Sequence, residues 1–215
     1  MEGDVYLQQR KPGPALAAFR AALEREESTV IAMRVHLATS EALSAAEADR
    51  FAAGWMKGHP KDAIFLTHLG SAATVQKRWS IAEGHFTAAL AIQPDHPPTL
   101  NNLAWVLLQQ NKPGALALAE RANQLAPDQA AFMDTLAAAL ADDGQVAKAV
   151  DLQRKALAKA PMASAPGYRL RLAKLLLKSG DSAKARTELE TLKALGDKFP
   201  GQDEVTALLK GKAAP

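Results

Sequence analysis

Three observations predict an all-α chain built as a solenoid of stacked helical pairs. First, prolines recur at Pro60, Pro94, Pro127 and Pro161, at intervals of 34, 33 and 34 residues. A fixed period near 34 marks a helical repeat array. Second, between these prolines small and large apolar residues recur at spacings of three and four, and no alternating strand pattern of useful length interrupts them. Third, alanine is very frequent and aromatic residues make up only 5% of the chain. Alanine is the best helix former and lets helices approach closely.

The elements follow in order. Gly3-Asp4-Val5-Tyr6 reads as the second half of a first helix, Pro12-Gly13-Pro14 as a turn, and Ala15, Phe19 and Ala22 as one face of a second helix. Residues 1–27 thus form a truncated repeat, which predicts that the chain belongs to a longer array, or else an atypical capping unit, since terminal repeats often diverge. Residues 29–60 form the least regular unit. Its first helix spans 30–43 with Met33, His36 and Leu37 inward, and Ala48, Ala52 and Trp55 line its second helix. Residues 63–94 are the clearest unit: Leu66, Leu69 and Gly70, then Ala82, Phe86 and Ala89, then Pro94, which cannot continue the backbone ladder. Residues 97–127 repeat this with Leu100, Leu103, Ala104 and Leu107, a turn at Asn111-Lys112-Pro113-Gly114, then Ala115, Ala119 and Ala122. Residues 130–161 carry Met133, Leu136, Ala137 and Leu140, a turn at Gly144, then Ala149 and Ala156. Residues 166–197 carry Leu172, Ala173, Leu176, Gly180, Ala185, Leu189 and Leu192. Residues 203–210 read as a capping helix whose Val205, Leu208 and Leu209 cover the end of the stack.

Composition narrows the function classes. The 215 residues are 48% hydrophobic and 23% charged, enough for an apolar interior. The net charge of +3 is spread along the chain, with no Lys/Arg run of the kind that binds nucleic acid. The absence of cysteine excludes disulfides, thiolate metal sites and cysteine nucleophiles. No apolar run approaches the length of a membrane span, and Met1-Glu2-Gly3-Asp4 lacks the basic-then-apolar opening of a secretion signal.

The residues Leu66, Leu69, Gly70, Ala82, Phe86, Ala89 and Pro94 resemble the tetratricopeptide repeat position by position. The resemblance implies a right-handed superhelical solenoid with a C-terminal capping helix, acting as a scaffold that binds a peptide or partner protein in its concave groove. It departs at His36 and Leu37, where a small residue is expected. A narrower resemblance rests on Leu100-Asn101-Asn102-Leu103-Ala104-Trp105, Ala119-Glu120-Arg121-Ala122, Leu125-Ala126-Pro127-Asp128 and Asp134-Thr135-Leu136. This wording is similar to tetratricopeptide-repeat lipoproteins of the bacterial PEP-CTERM/exosortase system, and implies a link to exopolysaccharide production, an upstream lipidated cysteine and a periplasmic or envelope location. Without it, the chain is expected in the cytoplasm.

In such arrays the first helix of each pair lines the groove. The register places Arg34, Thr67, His68, Ser71, Asn101, Asn102, Trp105, Gln109, Asp134, Thr135, Arg171, Lys174 and Lys178 there. Asn102 matches the asparagine of repeat domains that grip a carboxylate. Arg171 matches their basic residue in helix position only, two units away, so the full clamp is absent. Asn102 has a second reading, as an orderer of neighbouring backbone. Trp105 either stacks on an apolar or sugar ring or packs between units. Arg171, Lys174 and Lys178 share a face that suits an acidic peptide or anionic polymer, or is simply solvated.

No catalytic motif is present: the five histidines never fall at paired ligand spacing on one helix, and there is no phosphate-binding loop or nucleophile elbow. The expectation is a non-enzyme without cofactor or metal. Three functions remain open: a protein-binding scaffold; a polysaccharide-associated module using Trp105, Asn101, Asn102 and the basic last unit; and a spacer that self-associates through its truncated N-terminal edge.

Overall fold

Five of the six turns within helical pairs are closed by the same device. A residue in the left-handed region follows the first helix: Arg10 (φ 56°), Lys77 (φ 56°), Asn111 (φ 51°), Gly144 (φ 83°) and Gly180 (φ 84°). The amide after it donates five residues back, from Lys11 to Tyr6 O, Arg78 to Ala73 O, Lys112 to Leu107 O, Gln145 to Leu140 O and Asp181 to Leu176 O, at 2.8–3.0 Å. This pattern satisfies carbonyls that a helix end otherwise leaves open. The turn after residue 42 differs. It carries no left-handed residue, and the Ser44 hydroxyl instead accepts from the Glu47 amide to cap the next helix.

The computed structural model describes residues 2–211. Among these are thirteen α-helices: α1 (Glu2–Gln8), α2 (Pro12–Arg25), α3 (Thr29–Ala42), α4 (Ala45–Gly58), α5 (Ala63–Val75), α6 (Trp79–Ile92), α7 (Pro97–Gln109), α8 (Ala115–Leu125), α9 (Ala130–Asp142), α10 (Val146–Lys159), α11 (Ala165–Lys178), α12 (Ser182–Lys193) and α13 (Gln202–Leu209). A 3₁₀ turn at Gly196–Lys198 precedes the last helix. The described residues contain no strand, and the architecture is an all-α helical-repeat solenoid. Pro60, Pro94, Pro127 and Pro161 each stand two residues beyond the last residue of α4, α6, α8 and α10, where proline ends a helix at no cost to its ladder.

The helices gather into two compact units that meet in sequence at Pro94 and Asp95. In the first unit, Ala15, Leu16, Phe19, Ile31, Val35 and Ala38 form one buried cluster, and Ala32, Ala52, Trp55, Phe65 and Leu69 another. Asp62 ties three helices of this unit together. Its Oδ1 accepts from the Phe65 amide at 2.9 Å, capping α5, and its Oδ2 accepts from Thr29 Oγ1 at 2.8 Å and Trp55 Nε1 at 3.0 Å. In the second unit, Ala137, Leu140, Ala141 and Ala149 pack together, and Val150, Leu172, Leu176 and Ala185 form the next layer. Val205 and Leu208 of α13 close this unit against Ala173, Leu189 and Leu192, with Leu209 half-buried beside them.

Two expectations are corrected. Pro12-Gly13-Pro14 is the first turn of α2 rather than a loop, because proline at the start of a helix gives up an amide that has no partner there. The actual turn is Gln9-Arg10-Lys11. Leu37 does not face inward: it is 41% exposed, while Ile31, Ala32, Val35, His36, Ala38 and Thr39 are buried. The buried stripe of α3 runs through Ala32, Val35 and Thr39, which leaves Leu37 on the opposite side.

Candidate functional site

The second unit holds a cleft of about 300 Å³ lined by Asp134 and Ala138 of α9, Gln153 of α10, and Arg171, Lys174, Leu175 and Lys178 of α11. Its floor is set by a substitution in the repeat pattern. The inner face of α6 reads Ala82, Phe86, Ala89, and that of α2 reads Ala15, Phe19, Ala22. In α10 the same positions are Ala149, Gln153 and Ala156. Gln153 is buried where a phenyl ring stands in those two helices. A buried amide must find partners. Gln153 Nε2 donates to Asp134 Oδ1 at 2.7 Å and to Tyr168 O at 3.1 Å.

Asp134 is then shared. Arg171 Nε also donates to its Oδ1, at 2.5 Å, and the Arg171 guanidinium lies 4.9 Å from the centre of the Tyr168 ring. Burial first, and the Asp134 charge second, push the Tyr168 phenol above its ordinary value. Lys174 Nζ donates to Glu204 Oε1 of α13 at 2.8 Å, and Lys178 Nζ donates to Ala141 O, near the C-terminal end of α9, at 2.6 Å. A cation near those last carbonyls is favoured by the helix dipole. Each charged head thus has an internal partner, and the long side chains present their methylene stems to the cleft. The result is an apolar opening beside Ala138 and Leu175 with ammonium groups at its rim.

The other expected groove residues are distributed differently. Asn101 is buried on α7 and Thr135 on α9, and the Thr135 hydroxyl turns back to Ala131 O at 3.2 Å. Asn102 and Trp105 are half-buried and Gln109 is exposed. Asn102 Oδ1 accepts from Asn101 Nδ2 at 3.5 Å, while Asn101 Oδ1 is buried without a partner. Arg34 is engaged with Asp4 at 2.9 Å. The sequence placed Arg171, Lys174, Lys178 and Asp134 on this face, and the structure brings them into one cleft. It did not identify Gln153, although a glutamine between two core alanines was the available signal.

In the first unit His68 meets His36. His68 Nε2 lies 3.0 Å from His36 Nδ1, and the rings are edge to face with centroids 4.9 Å apart. The pair joins α3 to α5 across 32 residues, on helices of neighbouring repeats, so a search for ligand spacing on a single helix could not find it. Burial lowers both rings, and the charge of His36 adds to this for His68, which falls to about 4. Among the described residues no group of three or more histidine and acidic side chains is arranged to hold a metal ion, and no helix is long and apolar enough to cross a membrane.

Residues 1–43 and 130–160 each match a tetratricopeptide-repeat family model. No curated protein matches the chain. Among solved structures, the chain is similar to PilF of Pseudomonas aeruginosa, at 21% identity over 96% of this chain and 94% of that one, with a TM-score of 0.74. PilW, a widely conserved type IV pilus biogenesis factor, gives 18% identity over 95% and 94% of the two chains, with a TM-score of 0.74. YrrB, a TPR protein with an unusual peptide-binding site, gives 17% identity over 90% and 98%, with a TM-score of 0.66. The chain is a helical-repeat protein with the tetratricopeptide-repeat fold, carrying repeats of that family at residues 1–43 and 130–160.

Proposed function

We propose that the chain is a non-catalytic scaffold that takes an extended segment of a partner protein into the cleft between α9 and α11. The observation that carries this reading is the chemistry of that cleft. Its polar floor of Gln153, Asp134 and Arg171 is already satisfied internally, so what remains open is carbon surface at Ala138, Leu175 and the lysine stems. Such a site gains free energy by burying an apolar side chain, at roughly 25 cal/mol per Å². The Lys174 and Lys178 ammonium groups border it and can hold polar atoms of the same segment. Recognition of this kind needs neither a nucleophile nor a metal, consistent with the absence of a catalytic motif. The resemblance of Leu100–Trp105 to lipoproteins of the PEP-CTERM system would put the partner in envelope protein sorting or exopolysaccharide production.

The test is selection from a displayed peptide library on the whole chain, followed by affinity measurement on Ala138→Phe, which fills the cleft from α9. Selected peptides should carry an apolar anchor and lose at least about tenfold in affinity on the variant, roughly the loss of one buried side chain. Equal affinity for both proteins would move recognition elsewhere.

A further inference from the structure

Four of the five histidines lie in the first unit, and three of them, His36, His68 and His85, are held below their ordinary value by burial. Two of these face each other. His36 of α3 is 5% exposed, and its Nδ1 shares a hydrogen bond with Nε2 of the half-buried His68 of α5. The Phe65 ring flanks both, with centroids 6.1 Å from His36 and 5.7 Å from His68. A water-sized cavity of about 20 Å³ adjoins His36 and is lined also by Ser40, Asp49, Gln76, Arg78 and His85.

We propose that the His36–His68 contact is a proton-operated latch between α3 and α5, closed while both rings are neutral and released by acid in the first unit alone.

The chemistry of the pair carries this. A hydrogen bond between two imidazole nitrogens needs one donor and one acceptor. One proton can be added while the bond survives, at the cost of placing a charge among Phe65 and the buried face of α3. A second proton leaves two donors and two like charges 3.0 Å apart. Separated helices expose both rings to water, where they take protons freely. Separation of α3 from α5 is therefore coupled to the uptake of up to two protons.

The surroundings set the bias. Asp49 of α4 attracts a proton to His36, but its carboxylate is held by Arg78, whose Nη1 and Nη2 donate at 3.3 Å. His85 of α6 opposes a charge on His36. Arg34, on α3 itself, is engaged with Asp4 of α1. The second unit has no equivalent pair: its one histidine, His96, places Nδ1 2.7 Å from Thr99 Oγ1.

The direction follows from linkage. A histidine whose value is lowered in the packed state stabilises packing above its free value of 6.5, and that contribution is lost as pH falls towards about 4. Helix separation in the first unit should rise across this window.

The test is hydrogen exchange of the full chain at pH 7.5 and 5.0, corrected for the intrinsic rate, with α9 and α11 as the internal reference. Protection of α3 and α5 should fall about tenfold relative to α9 and α11 at pH 5.0, after allowance for the partial exposure of His68. His68→Gln, which cannot titrate, should cut this fall to under about threefold. An equal fall in His68→Gln, or no fall in the wild type, overturns the latch. Should the variant fail to fold, an NMR titration of the wild-type histidine ring protons decides. A His68 midpoint well below that of a free histidine supports the latch, and an ordinary midpoint overturns it.

Discussion

The Phe86 ring occupies the space that a side chain at position 70 would need. A Cβ built on Gly70 would lie 2.5 Å from the ring. The same relationship holds between Gly3 and Phe19, also at 2.5 Å. Close approach of the two helices of a pair is thus paid for by a glycine, which otherwise weakens a helix. Gly70→Ala should destabilise the first unit by about 1–3 kcal/mol, because overpacking outweighs the roughly 1 kcal/mol gained in helix propensity. Urea denaturation would measure this. Adding Phe86→Leu should recover part of the loss, and a Gly70→Ala protein as stable as the wild type would show that the ring can move aside.

Asp62 accepts three hydrogen bonds from three helices, and its removal should be felt at all of them. Asp62→Ala should cost about 2–4 kcal/mol, the sum of a lost cap and two orphaned donors. Trp55 supplies a reporter, because its indole N–H is one of those donors and its ring stacks on His59 with centroids 3.8 Å apart. A change in Trp55 emission at low urea, before global unfolding, is the expected signature. Loss under about 0.5 kcal/mol would show that water replaces the carboxylate at little cost.

The pattern of small and large residues made the fold readable. Gly70 with Phe86, and prolines two residues past α4, α6, α8 and α10, are covalent facts with a single structural use. The within-pair turns were only partly readable. Gly144 and Gly180 announce a left-handed residue, whereas Arg10 and Lys77 fill the same position with side chains that carry no such signal. The candidate site was half readable. Helical register put Arg171, Lys174 and Lys178 on one face, but register says nothing of partners. Asp134, Glu204 and Ala141 O, which take up those cations, come from elements 30 or 37 residues away. The His36–His68 pair escaped for the same reason.

Gln153 should prove intolerant of an apolar replacement. Gln153→Leu keeps the volume but deprives Asp134 Oδ1 and Tyr168 O of a donor. The expected loss is about 0.5–1.5 kcal/mol, the net worth of a lost hydrogen bond, because Asp134 Oδ1 keeps its Arg171 donor. Adding Asp134→Leu and Arg171→Met should recover part of it, since an apolar replacement of a partly buried ion pair removes the need for the lost donor. If Gln153→Leu alone is neutral, the network contributes shape rather than hydrogen bonding.

Asn102 separates recognition from architecture. Its side chain is half-buried and meets Asn101 at the long distance of 3.5 Å, a weak bond. Asn102→Ala should therefore cost under about 0.5 kcal/mol. Leu103→Ala, on the same helix but 7% exposed, should cost about 2–5 kcal/mol. Thermal unfolding of the two variants side by side checks both values. A large loss at Asn102 would assign it to ordering the stack.

The turn between α5 and α6 offers a stabilising change. Lys77 sits at φ 56°, a conformation that costs a residue with a Cβ about 1 kcal/mol more than glycine. The equivalent positions after α9 and α11 are already Gly144 and Gly180. The Lys77 amide donates to Thr74 O and the next amide to Ala73 O, bonds that any residue can make. Lys77→Gly should therefore raise stability by about 0.5–1 kcal/mol, after allowance for the extra freedom glycine gives the unfolded chain. Lys77→Val should lower it, because a β-branched residue is the least tolerant of positive φ. Gly180→Ala is the converse test in the second unit and should lower stability by about 1 kcal/mol. Urea midpoints at constant slope would read all three, and a Lys77→Gly midpoint below the wild type would mean that the lysine side chain contributes more to the turn than its backbone costs.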